Sequence, residues 1–184
     1  MRLERYVGAD MAVRSNIILI GMPGSGKSTV AKMLGLRGYV IIDTDKVFED
    51  EYGQISRYFD SYGEKSFRQK ESAIIAGLTG CDRTVVSTGG GVVENEDNMR
   101  LLAAIGRVVW IDCRLEELAK RLLDGSGARP LVVKGGVEYI KATYNRRYPL
   151  YARWADMTVD GSLSVEDIVD RILSEIGSTD NDKK

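Results

Sequence analysis

The chain has 184 residues, with 26 basic and 27 acidic side chains, two cysteines and no histidine. This balance of charge gives no reason to expect a nucleic-acid partner, and the missing histidine excludes Ser-His-Asp catalysis, Cys-His catalysis and most transition-metal sites. No apolar run approaches the ~20 residues of a membrane span, and the start of the chain lacks the apolar core of a signal peptide, so we expect a cytoplasmic protein without a membrane partner.

The first predicted element is a strand, Ile17 to Ile20, which is followed by the sequence GMPGSGKST. This stretch fits GxxxxGKS, the pattern of a phosphate-binding loop. Its glycines let backbone N–H groups turn inward around phosphate oxygens, Lys27 adds a positive charge, and Ser28 offers a hydroxyl to Mg²⁺. A helix that begins near Lys27 presents its positive dipole end to the anion. The agreement of strand, spacing and helix favours this interpretation over a glycine-rich turn without a ligand.

Two segments of different character follow the loop. Helical spacing predicts a helix that ends between Gly35 and Gly38, and the apolar residues from Tyr39 to Ile42 predict a second strand. From Val47 to Gly80 the pattern is helical and amphipathic, with glycines that interrupt it. We interpret this stretch as a helical insertion over the sheet.

A third strand, Thr84 to Ser87, runs into Gly89, Gly90 and Gly91. Three consecutive residues without side chains indicate that another group lies close to this backbone. The remaining predicted elements are a helix from Glu94 to Ala104, a strand from Val108 to Ile111, helices from Leu115 to Leu123 and from Val137 to Arg147, a strand from Met157 to Val159 and a helix from Val165 to Ile176.

The alternation of strands and helices predicts one α/β domain with a parallel sheet, in which the loops after the strands converge on one cleft. We expect this domain at residues 16–177, after an extension at 1–15 and before a disordered polar tail at 178–184. Residues 124–136 are polar and rich in glycine, which is typical of a mobile flap. Cys81 precedes one predicted strand and Cys113 follows another. The two cysteines do not have the spacing of metal ligands, so we expect reduced structural thiols.

Asp43 and Asp45 come directly after the second strand, at the edge where parallel sheets bind ligands. If the segment is extended, both side chains point the same way, and one carboxylate can face the water shell of a metal while the other meets a second substrate. The sequence Asp-Thr-Asp is equally good as a helix N-cap. The spacing alone does not decide between these alternatives.

Four arginines are candidates for anion binding. Glu71 lies three residues after Arg68 and can hold its guanidinium in one orientation, although a solvated surface ion pair is the commoner outcome of this spacing. Arg146 and Arg147 precede a proline and are equally explained as cations at a helix C-terminus. Arg129 lies in the predicted flap, from which an arginine can reach a transferring phosphoryl group, or it is a solvated loop residue.

Together the motifs GMPGSGKST, DTD, GEKSFRQKE, STGGGVV, ARPL and RRYPLY resemble those of shikimate kinase, in order and in spacing. The resemblance extends from about Asn16 to Ile176. It implies a P-loop fold like that of the nucleoside monophosphate kinases, a three-layer sandwich whose five-stranded parallel sheet has the order 2-3-1-4-5. It also implies substrate-binding helices at about residues 44–80 and a lid at about residues 124–136.

The resemblance implies roles for individual residues. Mg²⁺ would be held by Ser28 and Asp43, the latter through water, and Asp45 would contact the shikimate hydroxyls and act as the general base. The carboxylate of shikimate would lie between Arg68 and Arg147. The other implied contacts to shikimate are Gly89, Gly90, Gly91, Phe59 and Phe67, and those to ATP are Gly24, Ser25, Gly26, Lys27, Ser28, Thr29, Arg121 and Arg129, of which Lys27 and Arg129 are also catalytic.

The chain departs from the family pattern at two places. The segment between Arg121 and Arg129 is about one residue longer than usual, which weakens the transfer of the adenine-side role to Arg121. The extension before Asn16 exceeds what the fold needs. Core packing also explains Phe59 and Phe67 nearly as well as substrate contact does.

The resemblance implies ATP-dependent phosphorylation of the 3-hydroxyl of shikimate, in the biosynthesis of aromatic amino acids. We expect the protein to be a monomer, although the sequence itself does not give the oligomeric state. Another small-metabolite kinase of the same fold, such as a gluconate kinase, is the nearest alternative. A catalytically silent nucleotide-binding module and a GTPase switch are weaker alternatives. The first conflicts with the presence of Lys27, Ser28, Asp45 and Arg129, and the second with the absence of an NKxD sequence.

Overall fold

The computed structural model describes residues 16–78, 80, 82–123 and 130–181. Within these ranges five strands alternate with seven α-helices, numbered in chain order. The strands are β1 (Ile17–Ile20), β2 (Val40–Asp43), β3 (Thr84–Ser87), β4 (Arg107–Asp112) and β5 (Met157–Asp160). The helices are α1 (Lys27–Leu36), α2 (Thr44–Tyr52), α3 (Ile55–Ala76), α4 (Glu96–Ile105), α5 (Leu115–Leu123), α6 (Pro130–Trp154) and α7 (Val165–Asn181), with a 3₁₀ turn at Val92–Glu94.

The five strands form one sheet in the order β2-β3-β1-β4-β5, and every described pair is parallel. The predicted strand order is therefore confirmed. Because all strands run in the same direction, the segments after β1, β2, β3 and β4 emerge at one edge of the sheet. The phosphate-loop sequence, Asp43, and the three glycines at 89–91 are brought to this edge.

Helices cover both faces of the sheet, and the side chains of β1 show how the core is divided. Ile18 and Ile20 pack with residues of α3, α4 and α6, whereas Ile17 and Leu19 pack with residues of α1 and α7. All four side chains are fully buried. This alternation, in a strand that is apolar at every position, is what a central strand between two helical layers requires.

The largest difference from prediction concerns α6. The apolar spacing predicts a helix that ends at Arg147, but α6 continues through Pro149 to Trp154 and has a break at Gly136, where φ is 58°. Tyr151 is fully buried, and Trp154 packs against the same core cluster. Burial of these aromatic side chains outweighs the helix-breaking tendency of proline. Arg146 and Arg147 therefore lie within a helix, and the interpretation that they complement its C-terminal dipole is wrong.

Two further differences concern the second and the last helix. The second helix begins at Thr44, so Asp45 lies in its first turn, and of the two alternatives left open by the spacing the extended segment does not form. The last helix ends at Asn181, beyond the predicted end at Ile176 and within the tail that we expect to be disordered. Residues 1–15, Cys81 and the first part of the predicted flap, 124–129, lie outside the described residues, whereas the rest of the predicted flap, 130–136, belongs to the start of α6.

Cys113 is a buried free thiol, as the sequence predicts. Among the described helices none is both long and apolar enough to cross a membrane. In the described ranges there is also no cluster of three or more His, Cys, Asp or Glu side chains that could hold a metal ion. A metal site within these ranges would therefore use fewer than three such side chains.

Candidate active site

A cavity of about 490 Å³ lies at the ligand edge of the sheet, next to the phosphate loop. One wall comes from α2 and α3, the second from the glycines after β3, and the third from α5 and α6. The polar and charged side chains on these walls include Asp45, Glu49, Arg68, Glu71, Thr143 and Arg147. Among the predicted site residues, Asp45, Phe59, Phe67, Arg68, Gly89, Gly90, Gly91 and Arg147 all line this one cavity.

The loop after β1 is folded around the amine of Lys27. Lys27 Nζ donates to the carbonyl oxygens of Gly21 and Met22, both at 2.9 Å, and the residue is buried. Gly26 is the N-cap residue of α1 and has a φ of 98°, a conformation that favours glycine. It has no side chain that could cap the helix. Helix α1 therefore begins directly after the loop, as the helix of a phosphate-binding loop does.

The other described members of the predicted ATP site lie in this loop or beside it. Gly24 also has a positive φ, the Ser25 backbone N–H donates to Met22 O at 3.1 Å, and that of Thr29 donates to Gly26 O at 3.0 Å. Arg121 donates to Gly24 O at 3.3 Å and to Gly161 O at 3.4 Å. Arg121 thus lies beside the phosphate loop, whereas Arg129 lies outside the described residues.

Three oxygen-bearing side chains meet where β2, β3 and α1 come together. Ser28 Oγ donates to Asp43 Oδ2 at 2.8 Å and lies 3.3 Å from Ser87 Oγ. Asp43 Oδ1 accepts the backbone N–H groups of Asp45 at 3.1 Å and Lys46 at 3.2 Å, so this carboxylate also caps α2. The N-cap alternative is therefore confirmed, and the second oxygen of Asp43 still faces the hydroxyl of Ser28.

Two carboxylates approach the glycine segment after β3. A Cβ atom at Gly89 would lie 2.7 Å from Asp45 Oδ1 and 3.2 Å from Glu71 Oε1, and one at Gly90 would lie 2.6 Å from Pro23 Cδ. A Cβ atom at Gly91 would collide with the guanidinium of Arg68. The groups that lie close to this backbone are thus side chains of the protein itself, and glycine is required because they leave no room for a Cβ atom.

Arg68 is held from two sides by carboxylates on its own helix. Its Nη1 donates to Glu71 Oε2 at 2.8 Å and its Nη2 donates to Glu64 Oε1 at 3.2 Å. Glu71 is 5% exposed, so the pair with Arg68 is not the solvated surface pair that the spacing most often produces. Burial raises the pKa of Glu71, because the opposing effect of Arg68 does not fully compensate for the loss of solvent.

Arg147 is the most buried arginine on the cavity wall, with a side chain 9% exposed. Its Nε and Nη2 donate to Glu94 Oε2 at 3.0 and 2.7 Å, and Arg146 Nε donates to Glu94 Oε1 at 2.7 Å. Sequence reasoning missed Glu94, which it assigns only to the start of a polar helix. Its partners lie 52 and 53 residues away, and local spacing carries no signal of such a contact.

Aromatic side chains form the apolar wall of the cavity. The rings of Phe59 and Phe67 have centroids 4.6 Å apart, and the ring of Phe67 also lies 4.7 Å from that of Phe48. The guanidinium carbon of Arg68 lies 5.2 Å from the centroid of Phe67. Phe67 is buried in this cluster and Phe59 is partly buried, so both serve the core and the cavity wall at once.

Tyr151 connects α6 to the glycine segment, because its hydroxyl donates to Gly90 O at 2.6 Å in the buried core. Tyr151→Phe would leave that carbonyl oxygen without this donor. We expect the substitution to lower the free energy of unfolding by about 1 to 3 kcal/mol, measured by urea denaturation. Tyr62→Phe, at a position 67% exposed, is the matched control. Equal stability of the two variants would show that the hydrogen bond is unimportant.

Comparison with known proteins identifies the family. The model of the shikimate kinase family matches residues 23–177. The shikimate kinase of Persephonella marina is 39% identical over 164 residues, which cover 88% of this chain and 98% of the relative. The shikimate kinase of Thermodesulfovibrio yellowstonii is 34% identical over 171 residues, which cover 91% and 98%.

A solved structure agrees with these sequence relatives. The shikimate kinase from Acinetobacter baumannii in complex with shikimate superposes with a TM-score of 0.82 and is 30% identical, over 89% of this chain and 93% of that one. The chain belongs to the shikimate kinase family, and its activity is the ATP-dependent phosphorylation of shikimate.

Proposed function

We propose that the cavity described above binds shikimate and that the chain transfers the γ-phosphoryl group of ATP to its 3-hydroxyl. The observation that carries this proposal is the presence of one carboxylate, Asp45, and two arginines, Arg68 and Arg147, on the walls of one cavity beside the phosphate loop. The related kinase from Acinetobacter baumannii has been solved with shikimate bound, which supports the same acceptor here.

The nucleotide phosphates would lie on the loop from Gly24 to Thr29. Lys27 would exchange the carbonyl oxygens of Gly21 and Met22 for phosphate oxygens, and its charge would stabilise the charge that develops during transfer. Arg121 lies on the same loop and would meet the nucleotide from the side of α5. Arg129 would approach the phosphates from the lid, where such arginines contribute on the order of 10³ to 10⁵ in rate.

Mg²⁺ would be held by Ser28, directly, and by Asp43 through water. The side chains present fit this ion, because Mg²⁺ prefers oxygen ligands and keeps several waters rather than requiring an all-protein cage. The hydroxyl of Ser28 and a carboxylate oxygen of Asp43 already lie 2.8 Å apart, and Ser87 adds a third oxygen nearby. When bound, Mg²⁺ neutralises charge on the phosphate oxygens of ATP.

The acceptor would be fixed mainly through its carboxylate. Arg68 and Arg147 would grip this group, since guanidinium donors match the geometry of a carboxylate. Phe59 and Phe67 would pack against the ring of shikimate, and the glycines at 89–91 would give it access to backbone groups. This placement would leave the hydroxyl groups of shikimate toward Asp45.

Asp45 would act as the general base. The 3-hydroxyl oxygen forms a bond to the γ-phosphorus while the bond between that phosphorus and the oxygen of ADP breaks, and the hydroxyl proton passes to the carboxylate of Asp45. A loose transition state needs this proton transfer only late, but the proton must still pass to a basic group held beside the hydroxyl. Closure of the lid would exclude water and so prevent hydrolysis of ATP.

We further propose that the protein acts as a cytoplasmic monomer, without a nucleic-acid or membrane partner. The near balance of 26 basic and 27 acidic side chains supports the absence of a nucleic-acid partner. Size-exclusion chromatography with light scattering would measure the oligomeric state, and a mass near 20.4 kDa is the expected result.

A coupled assay of ADP release tests the substrate. Purified protein with Mg·ATP is offered shikimate, quinate, gluconate or a nucleoside monophosphate at equal concentration. We expect rapid turnover with shikimate alone and loss of that turnover when EDTA is in excess over Mg²⁺. Turnover with gluconate or a nucleotide but not with shikimate would overturn the proposal.

A further inference from the structure

The carboxylate of Glu94 lies at the centre of three arginines that come from two different helices. It accepts from Arg147 at 2.7 Å and from Arg146 at 2.7 Å, and it lies 3.8 Å from Nη2 of Arg68. Glu94 is the last residue of the 3₁₀ turn that follows the glycine segment. The turn thus brings a carboxylate to both proposed acceptor arginines.

Glu94 contacts these arginines from outside the acceptor cavity. Arg68 and Arg147 line that cavity, whereas Glu94 lines a second, open cavity of about 570 Å³ together with Arg68 and Arg146. Arg147 uses Nε and Nη2 for Glu94, which occupies one edge of its guanidinium. The contact with Glu94 does not use the Nη1 group of Arg147.

The negative charge of Glu94 offsets repulsion between Arg68, Arg146 and Arg147, because three guanidinium groups that converge repel one another. Burial disfavours ionisation of this carboxyl, but the hydrogen bonds and charges of Arg147 and Arg146 outweigh burial and hold the pKa of Glu94 below its ordinary value. The carboxylate is therefore ionised at neutral pH. It offsets the repulsion and restricts the rotation of Arg147 about its side-chain bonds.

We propose that Glu94 is a positioning residue for the acceptor carboxylate. It binds Arg147 from behind, keeps it close to Arg68, and so presents both guanidinium groups to the cavity in one arrangement. This inference rests on the proposed roles of Arg68 and Arg147. The function of Glu94 is to lower the loss of side-chain freedom that shikimate would otherwise cause when it binds.

The test is the kinetics of Glu94→Gln with shikimate and with its methyl ester, which carries no charge. We expect the KM for shikimate to rise about tenfold. At metal sites, mutation of a group that holds a ligand in place costs about 10- to 100-fold in affinity, and tenfold is the lower end of that range. The kcat should stay within about twofold, because Glu94 does not touch the transferred group. The KM for the methyl ester should be unchanged, since the ester has no carboxylate for the arginines to hold.

Glu96→Gln is the matched control, because Glu96 is two residues away and its described ion pairs are with the exposed Arg100 and Arg153. An unchanged or lower KM of Glu94→Gln for shikimate would overturn the inference, as would an equal rise for both acceptors. If Glu94→Gln does not fold, Glu94→Asp keeps the charge and should bind shikimate more weakly than the wild type in calorimetry, and equal binding would overturn the inference. Failure of the wild type to use shikimate would instead refute the proposed acceptor.

Discussion

Asp45→Asn is expected to lower kcat with shikimate by about 10² to 10⁴, the range that general bases contribute. Asparagine has nearly the shape of aspartate but accepts a proton far less readily. Because Asp45 Oδ1 lies close to Gly89, an isosteric replacement disturbs this contact least. The measurement is the coupled assay of ADP release at saturating Mg·ATP and shikimate.

Binding of ATP to Asp45→Asn should remain close to that of the wild type, because Asp45 lies on the acceptor wall and not on the phosphate loop. Isothermal titration calorimetry with ATP measures this directly. Asp50→Asn makes the same chemical change at an exposed position of α2 and is the control. A kcat like that of the wild type in Asp45→Asn would remove Asp45 from the mechanism.

Arg147→Ala is expected to raise the KM for shikimate by about one to two orders of magnitude. The substitution removes a charge-assisted hydrogen bond to the acceptor carboxylate, which contributes roughly 1.5 to 3 kcal/mol. Arg147 is the better choice for this test than Arg68. Loss of Arg68 would also leave Glu71, 5% exposed, without its partner, and an unpaired buried charge costs about 3 to 5 kcal/mol of stability.

Steady-state kinetics with varied shikimate at saturating ATP measures the effect. Arg153→Ala serves as the control, because Arg153 lies on the same helix, is 61% exposed and pairs with Glu96 at the surface. The KM for ATP should be the same in both variants. If Arg147→Ala and the control have equal KM values for shikimate, Arg147 does not bind the acceptor carboxylate.

Local pattern was sufficient for much of the fold. The strands Ile17–Ile20 and Thr84–Ser87 and the helix Leu115–Leu123 have the predicted ends, because each is bounded by glycine, proline or polar residues that break the pattern. The end of α6 was not predictable in this way. Pro149 locally indicates a stop, and only the burial of Tyr151 in the distant core explains why the helix continues.

The candidate site likewise contains some contacts that local spacing predicts and others that form only through tertiary packing. Arg68 and Glu71 are three residues apart, so their ion pair was accessible from spacing. The start of α2 at Thr44 places Asp43 and Asp45 on different elements, which the two-residue spacing did not indicate. Glu94 and Arg147 meet only after the sheet and α6 have packed. The one available hint was that arginines on a cavity wall need a counter-ion, without indication of which carboxylate supplies it.

The amine of Lys27, held by the carbonyl oxygens of Gly21 and Met22, has a consequence for the thermodynamics of nucleotide binding. The loop reaches its curved shape during folding, so its backbone entropy is lost then and not when ATP arrives. When a nucleotide binds, the Lys27 amine exchanges the two carbonyl oxygens for phosphate oxygens, and the loop is already ordered. A preorganised loop of this kind favours tight binding of phosphate without a coupled ordering transition.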